Sequence, residues 1–214
     1  MTAGSISEEE FLASVHNFLK VSADNVDVWQ LHKVPSNRYH HHHHQGHENL
    51  SYLQRKFCQL LKTQKKEENR SVSWECKEMD LEDSNSVTLA ATDENDITCD
   101  YHVVYSQSYA VPVLYFNMYW KDGSLLGLDE VWSLIPCHYR DRFLAERWTF
   151  ITQQEHPIVH RPYFYLHPCH TADLMKNIEL KDKRNYILSW LSAVGPVVRL
   201  ELPLSYGLSF EPSD

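Results

Sequence analysis

Two runs in the middle of the chain constrain its fold more than any others. From Tyr101 to Ser106, Tyr101, Val103 and Tyr105 alternate with His102, Val104 and Ser106. After a break near Ala110, Val111 to Trp120 is almost wholly apolar or aromatic, and Asp122-Gly123 supplies a turn. Period-two alternation bounded by turn residues specifies strands. These runs predict two long, adjacent, antiparallel strands. Their aromatics suit a packed core better than a base-stacking platform, since the basic residues of such a platform are missing. A formal charge of −9 likewise argues against general nucleic-acid binding.

The flanks supply helices. Ser7 can cap a helix, Glu10 completes a capping box, and Ile6 can staple onto Phe11. Phe11, Val15, Phe18 and Leu19 follow at helical spacing, which predicts a helix over 8–21. Val26 to Val34 reads as a strand, whereas 50–62 fits either a helix or a twisted strand. A short helix is expected at 128–135. Trp148 to Gln153 and Pro162 to Leu166 read as extended pieces. Leu174, Met175 and Ile178 mark one more helix. Tyr186, Ile187, Trp190, Leu191 and Val194 mark another, ended by Gly195-Pro196. The sum is an α+β fold: a helix, an antiparallel sheet flanked by helices, and a cysteine loop leading into a helix. With 214 residues, 43% of them apolar, the chain suits a single domain over 1–214.

Two segments read as loops. One, at 36–49, holds the run His40 to His44. A homopolymeric run lacks the spaced ligands of a structural zinc site, so no metal is expected there. The other, at 75–98, is acidic; Glu75 to Asp100 carries nine acids against one base, Lys77, and leaves the rest nearly neutral. No stretch reaches the roughly 18 apolar residues of a membrane span, and the start lacks the regions of a signal peptide. Five irregularly spaced cysteines suit free thiols in a reducing cytosol.

One of those cysteines is singled out by its position. Cys169 follows an extended stretch and Pro168, and precedes a helical pattern. Proline fixes φ and biases His167 towards an extended backbone. The thiol therefore meets a helix N-terminus, where backbone N–H groups favour a thiolate. The same position suits a small buried structural cysteine. Cys58 and Cys99 fall in expected strands, Cys76 in the acidic stretch, and Cys137 near a helix end where the dipole opposes a thiolate. On residues alone, a reactive-cysteine transferase, a thiol hydrolase and a silent binding module all stay open.

The run His167-Pro168-Cys169-His170-Thr171-Ala172-Asp173-Leu174-Met175 resembles the His-Pro-Cys segment of the autophagy conjugating enzymes. Further segments are similar, in order, to the family of autophagy-related protein 10. They are Tyr101 to Tyr105 through Tyr109 to the run Val111 to Phe116, Ile151 to Pro157, Ser189 to Val198, and Leu202 to Tyr206. The resemblance is dense over about 101–206.

That resemblance implies a ubiquitin-conjugating-enzyme-like fold and a cytoplasmic acyltransferase of the ubiquitin-like conjugation pathway, supporting autophagosome formation. It implies that autophagy-related protein 12 arrives from the activating enzyme autophagy-related protein 7. The donor rests as a thioester on Cys169 and passes to a lysine of autophagy-related protein 5. No cofactor is implied. Ordinary ubiquitin-conjugating enzymes place an asparagine in a His-Pro-Asn motif upstream of the cysteine, and this chain has none. Oxyanion support is therefore sought in Thr152-Gln153-Gln154, where Thr152 and Gln154 share a strand face. His167 is expected to fix the cysteine loop rather than act as a base. Edge strands near 52–62 or 98–109 are candidate surfaces for the acceptor.

Overall fold

A computed structural model describes residues 3–25, 27–35, 49–60, 96–136, 139, 150–178 and 180–208. The expected α+β class holds. A six-stranded sheet comprises β1 (Gln30–Pro35), β2 (Asn49–Leu60), β3 (Asp96–Ser106), β4 (Val111–Trp120), β5 (Ile151–Glu155) and β6 (Pro162–Leu166). Their spatial order is β1-β2-β3-β4-β6-β5, and every pairing is antiparallel. Among the described residues the α-helices are α1 (Glu8–Asp24), α2 (Leu128–Leu134), α3 (Thr171–Ile178), α4 (Tyr186–Val194) and α5 (Ser205–Leu208).

The alternation in β3 sorts its side chains onto two faces. Tyr101 and Val103 point into the main core, where they meet Leu53 of β2, Leu114 and Phe116 of β4, and Phe164 of β6. Phe11, Val15 and Phe18 of α1 and Trp190 and Leu191 of α4 close that core. Burying one such side chain contributes roughly 1.5–3 kcal/mol. The opposite face carries a smaller cluster of Val104, Val113, Tyr115, Ile158 and Tyr163.

The expected capping box starts α1. Glu10 N donates to Ser7 Oγ (3.1 Å) and Ser7 N donates to Glu10 Oε2 (2.8 Å). α1 also serves α4, whose own N-cap, Asn185, makes no side-chain capping bond. Ser14 Oγ accepts the N–H of Ile187 instead, at 2.8 Å. Gly195 follows α4 where a Cβ would run into the carbonyl oxygen of Leu200.

Several boundaries differ from expectation. β1 starts at Gln30 rather than Val26; Ser22 side-chain and backbone bonds to Asp27 turn the chain there first. The ambiguous segment is the strand β2 over its described residues, opening at Asn49, inside the expected His-rich loop, and running to Leu60. Asp96, Ile97 and Thr98 belong to β3, not to the acidic loop, because Ile97 and Cys99 turn into the core. Neither expected edge strand is an edge: β1 and β3 pair with both sides of β2, and β2 and β4 with both sides of β3. The His run, most of the acidic loop, Cys76 and Cys137 lie outside the described residues.

Candidate active site

β6 delivers the chain to Cys169. Leu166 ends the strand in the core, and His167 N donates to Phe150 O at 3.0 Å, prolonging the β5–β6 pairing by one bond. A 3-10 turn, Pro168–His170, follows with Pro168 in its first turn, where a missing N–H costs nothing. Thr171 N then bonds Pro168 O, and α3 begins. Pro168 and Thr171 are buried, while Cys169 and His170 are exposed.

His167 caps this turn. It is extended (φ −65°, ψ 126°), and its Nδ1 accepts the N–H of Cys169 at 3.3 Å. A nitrogen that accepts cannot carry the proton, so the neutral ring is protonated on Nε2. The ring stands edge-on to Tyr109 (centroids 5.8 Å apart, 81°) and 6.0 Å from Tyr165. Tyr109, 46% exposed, sits in the β3–β4 turn and so brings a third element to the cysteine. Sequence reasoning missed it; the break near Ala110, where φ is +52°, was the available signal.

The other described cysteines differ sharply. Cys99 is buried, and that burial pushes its thiol up to about 11. Cys58 is exposed on β2, with its sulfur 3.6 Å from Thr98 Oγ1, away from any helix start. Cys169 alone of these three combines exposure with a helix N-terminus.

Thr152 and Gln154 share one face of β5, as expected, opposite Tyr165 and Tyr163 of β6. The register separates them. At a strand rise of roughly 3.3 Å per residue, Tyr165 lies about 7 Å from His167 and Tyr163 about 13 Å. The structure thus brings half-buried Thr152 towards the cysteine turn and leaves exposed Gln154 two residues further along.

A second polar group, on the outer face, was not anticipated. His156 Nδ1 accepts the N–H groups of Ile158 (3.2 Å) and Val159 (3.1 Å). Its proton therefore sits on Nε2, which lies 3.1 Å from His102 Nδ1. His102 in turn carries its proton on Nε2, 3.2 Å from Asp100 Oδ1, at an angle that makes no aligned hydrogen bond. Gln54 and Tyr163 also donate to Asp100, at 2.7 and 3.3 Å. Burial pushes Asp100 up, but the contacts from His102 and Gln54 outweigh it and leave the carboxyl below its ordinary range. Burial, then the charge of Asp100, raises Tyr163. Only the alternation placing His102 opposite the core pointed to this group.

Residues 10–205 match the family described as autophagocytosis associated protein, active-site domain. The chain belongs to that family. Among similar members are proteins named ubiquitin-like-conjugating enzyme ATG10. The one from Homo sapiens is 49% identical over 60% of this chain and 60% of its own. The one from Arabidopsis thaliana is 40% identical over 64% and 65%, and that from Dictyostelium discoideum 40% over 50% and 53%. The matched part thus spans under two thirds of each of these autophagy proteins. No described helix is long and apolar enough to cross a membrane.

Proposed function

We propose that this chain is a ubiquitin-like-protein conjugating enzyme that carries its donor as a thioester on Cys169. The observation that supports this most is the exposed sulfur on a proline-stiffened turn at the start of α3.

In this reading the thiolate of Cys169 attacks the donor's C-terminal carbonyl on the activating enzyme. The new C–S bond forms and the activating enzyme's thiolate leaves. An acceptor lysine then attacks the same carbonyl. Its C–N bond forms, the amine gives up a proton, and Cys169 leaves as the thiolate. A thioester is already activated, so the protein must chiefly position the amine and stabilise the oxyanion. Thr152 is better placed for the second task than Gln154, and His167 keeps the turn in shape.

The donor is autophagy-related protein 12, the activating enzyme autophagy-related protein 7, and the acceptor a lysine of autophagy-related protein 5, in the cytoplasm. The names of the relatives and the run of motifs support these partners. The test mixes the chain with that donor, that activating enzyme and ATP. A reductant-sensitive adduct that disappears in Cys169→Ala is expected. An adduct that survives that change and disappears in Cys58→Ser would overturn the reading.

A further inference from the structure

The N-terminal residues 3–7 form a strap that reaches the cysteine turn from two sides. On one side, Gly4 lies against the first turn of α3. Its φ is +94°, and a Cβ there would collide with the carbonyl oxygen of Ala172 and stand 2.7 Å from Lys176 N. Ala172 is three residues after Cys169. On the other side, Ile6 N donates to Ala110 O at 2.9 Å. Ala110 follows Tyr109, whose ring packs edge-on to His167, the residue that caps the turn.

Two tyrosine hydroxyls seat the strap. Tyr186 of α4 donates to Gly4 O at 2.7 Å, and Tyr105 of β3 donates to Ile6 O at 2.8 Å. Ile6 is buried in the main core, but a cleft of about 200 Å³ remains between the strap and Met175, Leu180 and Tyr186. These bonds, with Ile6 in the core and Ser7 in the capping box, hold the strap beside that cleft.

We infer that Gly4, Tyr105 and Tyr186 are positioning residues for Cys169, acting through the strap on α3 and on the β3–β4 turn. The effect on thioester discharge rests on the carrier role proposed above. The effect on the thiol itself does not.

The experiment uses the full chain as Gly4→Ala and as the double variant Tyr105→Phe/Tyr186→Phe. Val15→Ala, in the core under α1, serves as a control for lost stability alone. Cys169 alkylation by iodoacetamide is followed by peptide mass, with Cys58 of the same molecule as reference. Discharge of the loaded thioester to free lysine is timed separately. Since small misplacements cost large factors in rate, discharge should slow about tenfold and Cys169 alkylation change about threefold in both strap variants. Cys58 alkylation should stay constant, and Val15→Ala should leave all three rates near the parent's. The inference fails if folded strap variants keep both Cys169 rates, or if Val15→Ala shifts them equally. Should Gly4→Ala not fold, the tyrosine pair decides. If the parent carries no thioester, the carrier proposal fails while the alkylation comparison still decides the strap.

Discussion

His167 holds the turn that presents Cys169 by accepting that residue's own backbone N–H through Nδ1, across 3.3 Å. The imidazole therefore spends one nitrogen on the loop, and only Nε2 is free to face anything else. In His167→Ala, thioester discharge should slow while its pH dependence keeps the same form. Asparagine is a strong capping residue, so His167→Asn should recover most of the rate. Loss of a pH limb in the ordinary imidazole range, without recovery by asparagine, would instead make His167 a base.

Register separates Thr152 from Gln154. Thr152→Ala should slow lysine transfer by about a hundredfold or more, in the range seen when an oxyanion donor is removed, with loading intact. Gln154→Ala should change transfer far less, because its strand partner is Tyr163. Single-turnover discharge measures both. Equal rates in Thr152→Ala and the parent would remove Thr152 from the chemistry.

Cys169→Ser should give either a reductant-resistant ester or no adduct with donor, activating enzyme and ATP. Cys99→Ala should load normally, since a buried thiol raised to about 11 is poorly suited to act as a nucleophile at neutral pH. Gel shifts with and without reductant distinguish these outcomes.

His156 gives the fold an acid sensitivity. Burial first, and the neighbouring His102 second, lower its pKa from 6.5 to about 3. Between those values the unfolded chain binds a proton that the folded chain refuses. Stability is therefore complete above about 6.5 and is lost as pH falls towards 3. His156→Phe should cost about 1–3 kcal/mol at neutral pH by stranding the N–H groups of Ile158 and Val159. It should also flatten the decline of melting temperature with acid. An unchanged slope in circular-dichroism melts would assign the sensitivity to another group.

Legibility from sequence followed the strength of the local signal. The β3–β4 pair was plain because the alternation of β3, the break near Ala110 and the apolar run of β4 agree, and the Asp122-Gly123 turn ends β4 with Gly123 at a positive φ of 86°. The helix at α1 was plain because cap and apolar stripe agree. β2 was not, because Leu50, Leu53, Phe57 and Leu61 fit a helix while Tyr52, Leu53, Phe57 and Leu60 fit a twisted strand, and only pairing with its neighbours decides. Cys169 was legible because proline, cysteine and a helix start adjoin in sequence. Tyr109 and the strap were not, since they reach the turn from roughly 60 and 160 residues away, and local patterning carries no such information.

The linked rings of His102 and His156 have a use beyond stability. His156 donates its Nε2 proton to His102 Nδ1, which leaves the His102 proton on Nε2, and both rings are walled off from water. Protons so held exchange slowly with solvent. They would mark two isolated lines in a magnetic-resonance spectrum, native reporters of whether the sheet stays shut.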